Sequence, residues 1–195
     1  MDFHILTLFP DVMKPYFACS ILGRALDSGL IRIFYHQLRD YTTDKHHKVD
    51  DAPYGGGAGM IFKADVLVPA VRDIRKKHPI DRVILLSPRG KLFSQAVAKE
   101  YSSFHSILLI CGRYEGVDER AIELAVDCEI SIGDYVITGG ELAAQIVVDA
   151  TARLIPGVVG NEAGPLNESH ADGFLEYPQY TRPEEFEGKK VQDVL

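Results

Sequence analysis

Short unbroken apolar runs alternate along the chain with stretches whose apolar positions recur every three or four residues. Residues 83–86 and 106–111 are of the first kind, and with the interrupted segments at 3–9, 31–35 and 129–131 they predict buried strands, because a strand covered on both faces loses its polar alternation. Val66, Leu67, Ala70, Val71 and Ile74 lie at helical spacing, and Pro79 closes that helix. Further helices are expected from Pro10 to about Asp27 with Gly29 as the stop, over 94–101, over 119–125 and over 141–154. The last has apolar positions all round and is expected to be buried. Strands alternating with helices predict an α/β fold with a mainly parallel sheet flanked by helices.

Two segments break this pattern. Residues 39–60 are polar and glycine-rich, and an ordered loop of that length is usually functional. After Pro156-Gly157 the periodicity stops, and residues 157–195 read as a linker or a segment that orders on binding.

Three glycine-bearing stretches stand where apolar runs end: Leu85-Leu86-Ser87-Pro88-Arg89-Gly90, Cys111-Gly112-Arg113-Tyr114-Glu115-Gly116, and 131–140 from Ser131 to Gly140. Open α/β sheets bind ligands at the carboxyl ends of their strands. Glycine there lets the main chain approach a ligand and leaves N–H and C=O groups to read it. One cofactor pocket built largely from backbone is expected. Phosphate fingerprints do not fit it. The dense run Gly55-Gly56-Gly57-Ala58-Gly59 follows a polar stretch, not a strand, and Gly90-Lys91 is followed by Leu92, with Leu85 where a P-loop needs glycine.

Composition narrows the setting. With 195 residues and 46% hydrophobic content the chain suffices for one well-buried domain. No apolar stretch approaches the roughly 20 residues needed to cross a bilayer. Three cysteines without a Cys-x-x-Cys pair indicate neither a disulfide framework nor a zinc site, and a cytoplasmic setting is expected. Cys111 reads as a small buried hydrophobe. No metal-ligand set is read from the residues. The net charge of −7 is uneven: residues 157–195 carry eight acids and three bases, leaving −2 on the rest. The bases of 72–78 suit a helix C-terminus, whereas Lys45-His46-His47-Lys48 lies in the long loop and is as consistent with a nucleic-acid contact as with a solvated turn.

Leu8-Phe9-Pro10, the run from Val49-Asp50-Asp51 through Pro53-Tyr54-Gly55-Gly56-Gly57 to Met60, Cys111-Gly112-Arg113-Tyr114-Glu115-Gly116, Ser131-Ile132-Gly133-Asp134-Tyr135-Val136, Gly139-Gly140-Glu141-Leu142, Arg153-x-Ile155-Pro156-Gly157-Val158 and Tyr177-Pro178-x-Tyr180-Thr181-Arg182-Pro183 closely resemble the bacterial tRNA (guanine-N1)-methyltransferases of the SPOUT superfamily. The resemblance implies a deep trefoil knot in a SPOUT-type sheet, and methylation of N1 of the guanosine immediately 3′ of the anticodon. It also implies an obligate homodimer whose active sites are shared between subunits, with magnesium as a further requirement for activity. It divides the chain into a catalytic domain over 1–156 and a linker over 157–195, and places a small basic tRNA-gripping helical domain beyond that linker in full-length members.

Mapped onto this chain, the resemblance puts S-adenosylmethionine against Leu86, Ser87, Pro88, Gly112, Tyr114, Glu115, Gly116, Ser131, Ile132, Gly133, Tyr135, Ile137, Gly139 and Gly140. It puts the tRNA against Asp50, Tyr54, Gly55, Gly56 and Gly57. Guanine N1 is protonated at neutral pH, so a base must remove that proton, and the charge that builds on O6 needs a cation. By the resemblance these are Glu168 and Arg153, with Glu115 beside donor and target base. Two residues depart from the family: Glu168 stands where aspartate is usual, and Ala143 where a proline often lines the pocket. A solvated linker acid is the competing reading of Glu168. The activity has two rivals: a dimeric fragment that holds the cofactor without engaging tRNA productively, and another SPOUT branch acting on RNA.

Overall fold

The computed structural model describes residues 1–160, 169–170 and 175–192. Five strands form one wholly parallel sheet: β1 (Asp2–Thr7), β2 (Arg32–Gln37), β5 (Arg82–Leu92), β6 (Ser106–Cys111) and β7 (Cys128–Ser131), in the order β2-β1-β6-β5-β7. Side chains alternate across it as the strand period requires. Phe3, Ile5, Ile107 and Leu109 enter one core with α1 (Lys14–Phe17), α2 (Ser20–Asp27), α4 (Gln95–Tyr101) and α6 (Gly140–Ala152). Leu6, Leu108 and Ile110 enter the other with α3 (Ala64–Lys77) and α5 (Glu119–Ala125). Both faces are covered, which is why the strands read as continuous apolar runs.

Three expectations need correction. The helix expected from Pro10 to Asp27 is a 3₁₀ turn (Pro10–Val12), α1 and α2, because Ser20 takes φ 55° and no α-helix runs through a left-handed residue. Gly29 does follow the end of α2, at φ 73°. The strand expected to stop at Leu86 loops out over 87–90 and rejoins β7, where Lys91 pairs with Ile130 after Leu86 has already done so. Pro88, with no N–H to give a ladder, belongs in such an excursion. Finally, α6 is not buried all round: Leu142 is 54% and Ile146 38% exposed.

The long loop is partly ordered by pairing. β3 (Asp50–Asp51) and β4 (Ile61–Phe62) form a small antiparallel ladder at either end of the glycine run. The bases of 72–78 close α3 as expected, with Lys77 held to Asp73 at 2.6 Å. Within the tail, β8 (Glu185–Phe186) and β9 (Lys189–Lys190) make an exposed hairpin turned by Glu187-Gly188. Among the described residues no helix is long and apolar enough to cross a membrane.

Candidate cofactor and substrate site

A cavity of about 440 Å³ opens at the carboxyl edge of β5, β6 and β7, walled by the excursion after Leu86, by 112–117 and by 129–140. Its size is that of a small-molecule pocket. All fourteen residues that the family resemblance places at the cofactor line it, from Leu86 to Gly140. Leu85, Ile130, Ile132, Ile137 and Ala143 supply apolar wall, suited to a flat heterocycle. Arg89, Arg113, Glu115 and Glu129 stand in the wall beside the glycine-bearing loops.

The packing explains the glycines. The Gly140 N–H donates to Gly112 O at 2.8 Å, so the third loop is hydrogen-bonded to the second. A methyl group on Gly140 would lie 2.6 Å from Cα of Cys111 and 2.8 Å from the Gly112 nitrogen. Neither backbone can retreat, because Cys111 ends a central strand. The Cys111 thiol is buried, and burial pushes its pKa well above the ordinary thiol value, so it stays protonated and inert.

The second loop also meets the glycine-rich segment. Glu115 N–H donates to Met60 O, and Phe62 N–H to Gly116 O, each at 2.9 Å. Tyr114 is held at φ 61°, a left-handed conformation that costs a bulky residue on the order of 1–2 kcal/mol. Its ring packs edge-on against Phe62, with centroids 5.3 Å apart. Burial raises its phenol pKa, and the nearby Asp50 carboxylate does so too, while Arg39 lowers it. Tyr114 of the second loop and Asp50 on β3 are thus brought near each other.

The other residues that the resemblance puts against the tRNA lie apart from the cavity. Tyr54 is fully exposed, and Gly55, Gly56 and Gly57 have positive φ with almost nothing near their Cα atoms. Tyr54 instead borders a neighbouring groove with Lys63, Arg72, Arg120 and Leu124. Arg153 caps the far end of α6, and a helix of that length carries it roughly 20 Å from Gly140, outside the cavity lining. Glu168 lies outside the described residues.

Sequence reasoning missed Arg89 and Glu129 in the wall, and Arg113 with its partner Glu141. Arg89 reaches Glu119 at 3.0 Å and Glu129 at 3.5 Å, closing the cavity on the β7 side. These contacts join residues 30 or 40 apart in sequence, and no local pattern announces them.

Fold and cavity together define a parallel α/β domain with a small-molecule cavity at the carboxyl edge of its sheet. The tRNA (Guanine-1)-methyltransferase TrmD family model matches residues 1–195. A tRNA (guanine-N(1)-)-methyltransferase of Geobacter sp. (strain M21) is 52% identical over all of this chain and 78% of its own length. One from Chloroflexus aggregans is 53% identical over 76% of its length. The crystal structure of tRNA (m1G37) methyltransferase from Aquifex aeolicus superposes on 99% of this chain, with TM-score 0.83 and 35% identity. The chain belongs to the tRNA (guanine-N1)-methyltransferase family.

Proposed function

We propose that this protein methylates N1 of the guanosine immediately 3′ of the tRNA anticodon, with S-adenosylmethionine as donor. The observation that carries the reading is the convergence of three backbone loops, from distant parts of the sequence, on one cavity in a chain of this family. The cavity fits the donor: its volume, its apolar slot and its main-chain polar groups suit an adenosyl group. S-adenosylmethionine, when bound, supplies an electrophilic methyl on a sulfonium with a good leaving group.

The protein's own residues must then align and deprotonate the base. Glu168 is assigned the N1 proton, Arg153 the charge on O6, and Glu115, in the cavity wall, the approach of base to donor. Asp50, Tyr54 and the glycine run would bear on the anticodon loop. Residues 1–156 form the catalytic unit and 157–195 a connecting segment. The passage of 133–140 against Cys111 and Gly112 supports the deep knot that the family resemblance implies. Among the described residues no group of three or more His, Cys, Asp or Glu side chains could hold a metal ion. No residue is therefore assigned to magnesium and no step is routed through it.

The homodimer that the family resemblance implies is part of this reading. The length of α6 supports it: Arg153, about 20 Å from Gly140, would serve the cavity of a second copy. The exposed apolar groups Phe9, Val12, Tyr16, Leu142 and Ile146 offer a face for that copy.

The test is primer extension on an unmodified tRNA transcript incubated with donor and enzyme. A stop at the guanosine 3′ of the anticodon, absent when that base is adenosine, is expected. A stop elsewhere, or none, overturns the reading.

A further inference from the structure

Glu141 is the most conspicuous polar group that the proposed chemistry leaves unused. It is a carboxylate only 3% exposed, in the first turn of α6. It is not part of the cavity lining, but its partner Arg113 is, as is Thr138, to which Arg113 donates. Its Oε1 accepts from the Thr7 hydroxyl at 2.7 Å, and that same hydroxyl oxygen accepts from Phe9 N–H at 3.0 Å. Its Oε2 accepts from Arg113 Nε and Nη2, each at 3.0 Å. Arg113 Nη1 donates onward to Thr138 O at 3.4 Å, and the guanidinium lies over the Phe9 ring at 4.4 Å. One buried carboxylate therefore ties the end of β1, the second cofactor loop and the third cofactor loop to a single point.

We infer that Glu141 is a positioning residue for cofactor binding: through Arg113 it sets the separation of the 112–116 and 133–140 loops, and so the width of the cavity. The inference rests on the cofactor reading of that cavity. Its physical basis is that a buried ion pair contributes little net stability over apolar packing but strongly disfavours any arrangement that separates its partners. Two loops that close on the same ion pair cannot shift independently, so a change in its geometry passes directly into their spacing. The pair also explains Gly139, where a methyl group would lie 2.5 Å from Arg113 Nε and 2.7 Å from Glu141 Oε2.

The test is calorimetric titration of the whole protein with S-adenosylhomocysteine. Glu141→Gln should weaken binding about tenfold or more, the effect of roughly one charge-assisted hydrogen bond. Thr7→Val, also outside the lining, should weaken it in the same direction, and it keeps the test alive if Glu141→Gln fails to fold. The control is Ile74→Ala in the core beneath α3, remote from the cavity, which should lower the melting temperature without changing affinity. Unchanged affinity in the Glu141 and Thr7 variants would overturn the inference. So would an equal loss in Ile74→Ala, which would mark a merely structural role. A wild-type protein that does not bind S-adenosylhomocysteine would instead sink the cofactor reading itself.

Discussion

At Gly140 the argument from residue to function is shortest. The neighbouring strand leaves no room for a side chain, and the same approach brings two cofactor loops within one hydrogen bond of each other. Gly140→Val should therefore abolish S-adenosylhomocysteine binding at millimolar ligand; binding within threefold of wild type would show that the loops can part. Glu168→Gln should act differently. On the proposed reading it removes the acceptor of the N1 proton, so turnover should fall on the order of 100-fold or more with cofactor affinity intact, as single-turnover kinetics would report. The glycines were legible because backbone contact demands a residue type at a fixed place. Glu141 was not, since its partner Thr7 is 134 residues away. The left-handed backbone of Tyr114 also leaves no mark on residue choice.

Elements were legible where burial is uniform and obscure where packing bends the chain. The strand over 106–111 stands where its apolar run puts it. The rejoining of β5 to β7 beyond Gly90 does not follow from an apolar run, because residues 87–91 carry mostly polar side chains. The periodicity of α6 concealed its exposed edge, since Leu142 and Ile146 are as apolar as its core positions; the proposed reading places a second copy against them. Leu142→Glu should consequently yield a monomer by sedimentation at micromolar concentration; a stable dimer would move the interface elsewhere. The edge of the sheet carries a pH dependence of its own. His4 on β1 and His36 on β2 lie 2.9 Å apart between ring nitrogens, beside His78, and burial followed by mutual repulsion lowers both pKa values to about 4. Asp2, Arg32, Asp73 and Lys77 also face them. Because the unfolded chain takes up these protons near pH 6.5 and the folded chain does not, stability is full above that pH and lost as pH falls toward 4. The melting temperature should drop on the order of 10 °C between pH 7 and pH 5, and His36→Gln should flatten the slope. A flat profile in the wild type would contradict the burial of these rings.

In the molecule as a whole, one chain carries the entire lining of the cavity, and the proposed reading draws Arg153 and Glu168 from a second copy. The family motifs pointed to Arg153 and Glu168, and only the length of α6 reveals that Arg153 cannot reach the cavity beside Gly140. The shared site is the central claim, and subunit complementation tests it most directly. Gly140→Val lacks the cofactor wall and Glu168→Gln lacks the base, so each homodimer should be inactive. In a purified heterodimer of the two, sharing places the intact loops of one protomer opposite the intact Glu168 of the other. Methylation at about one wild-type site per dimer is predicted. A heterodimer as inactive as its parents would mean that each protomer works with its own residues alone, and would contradict the account.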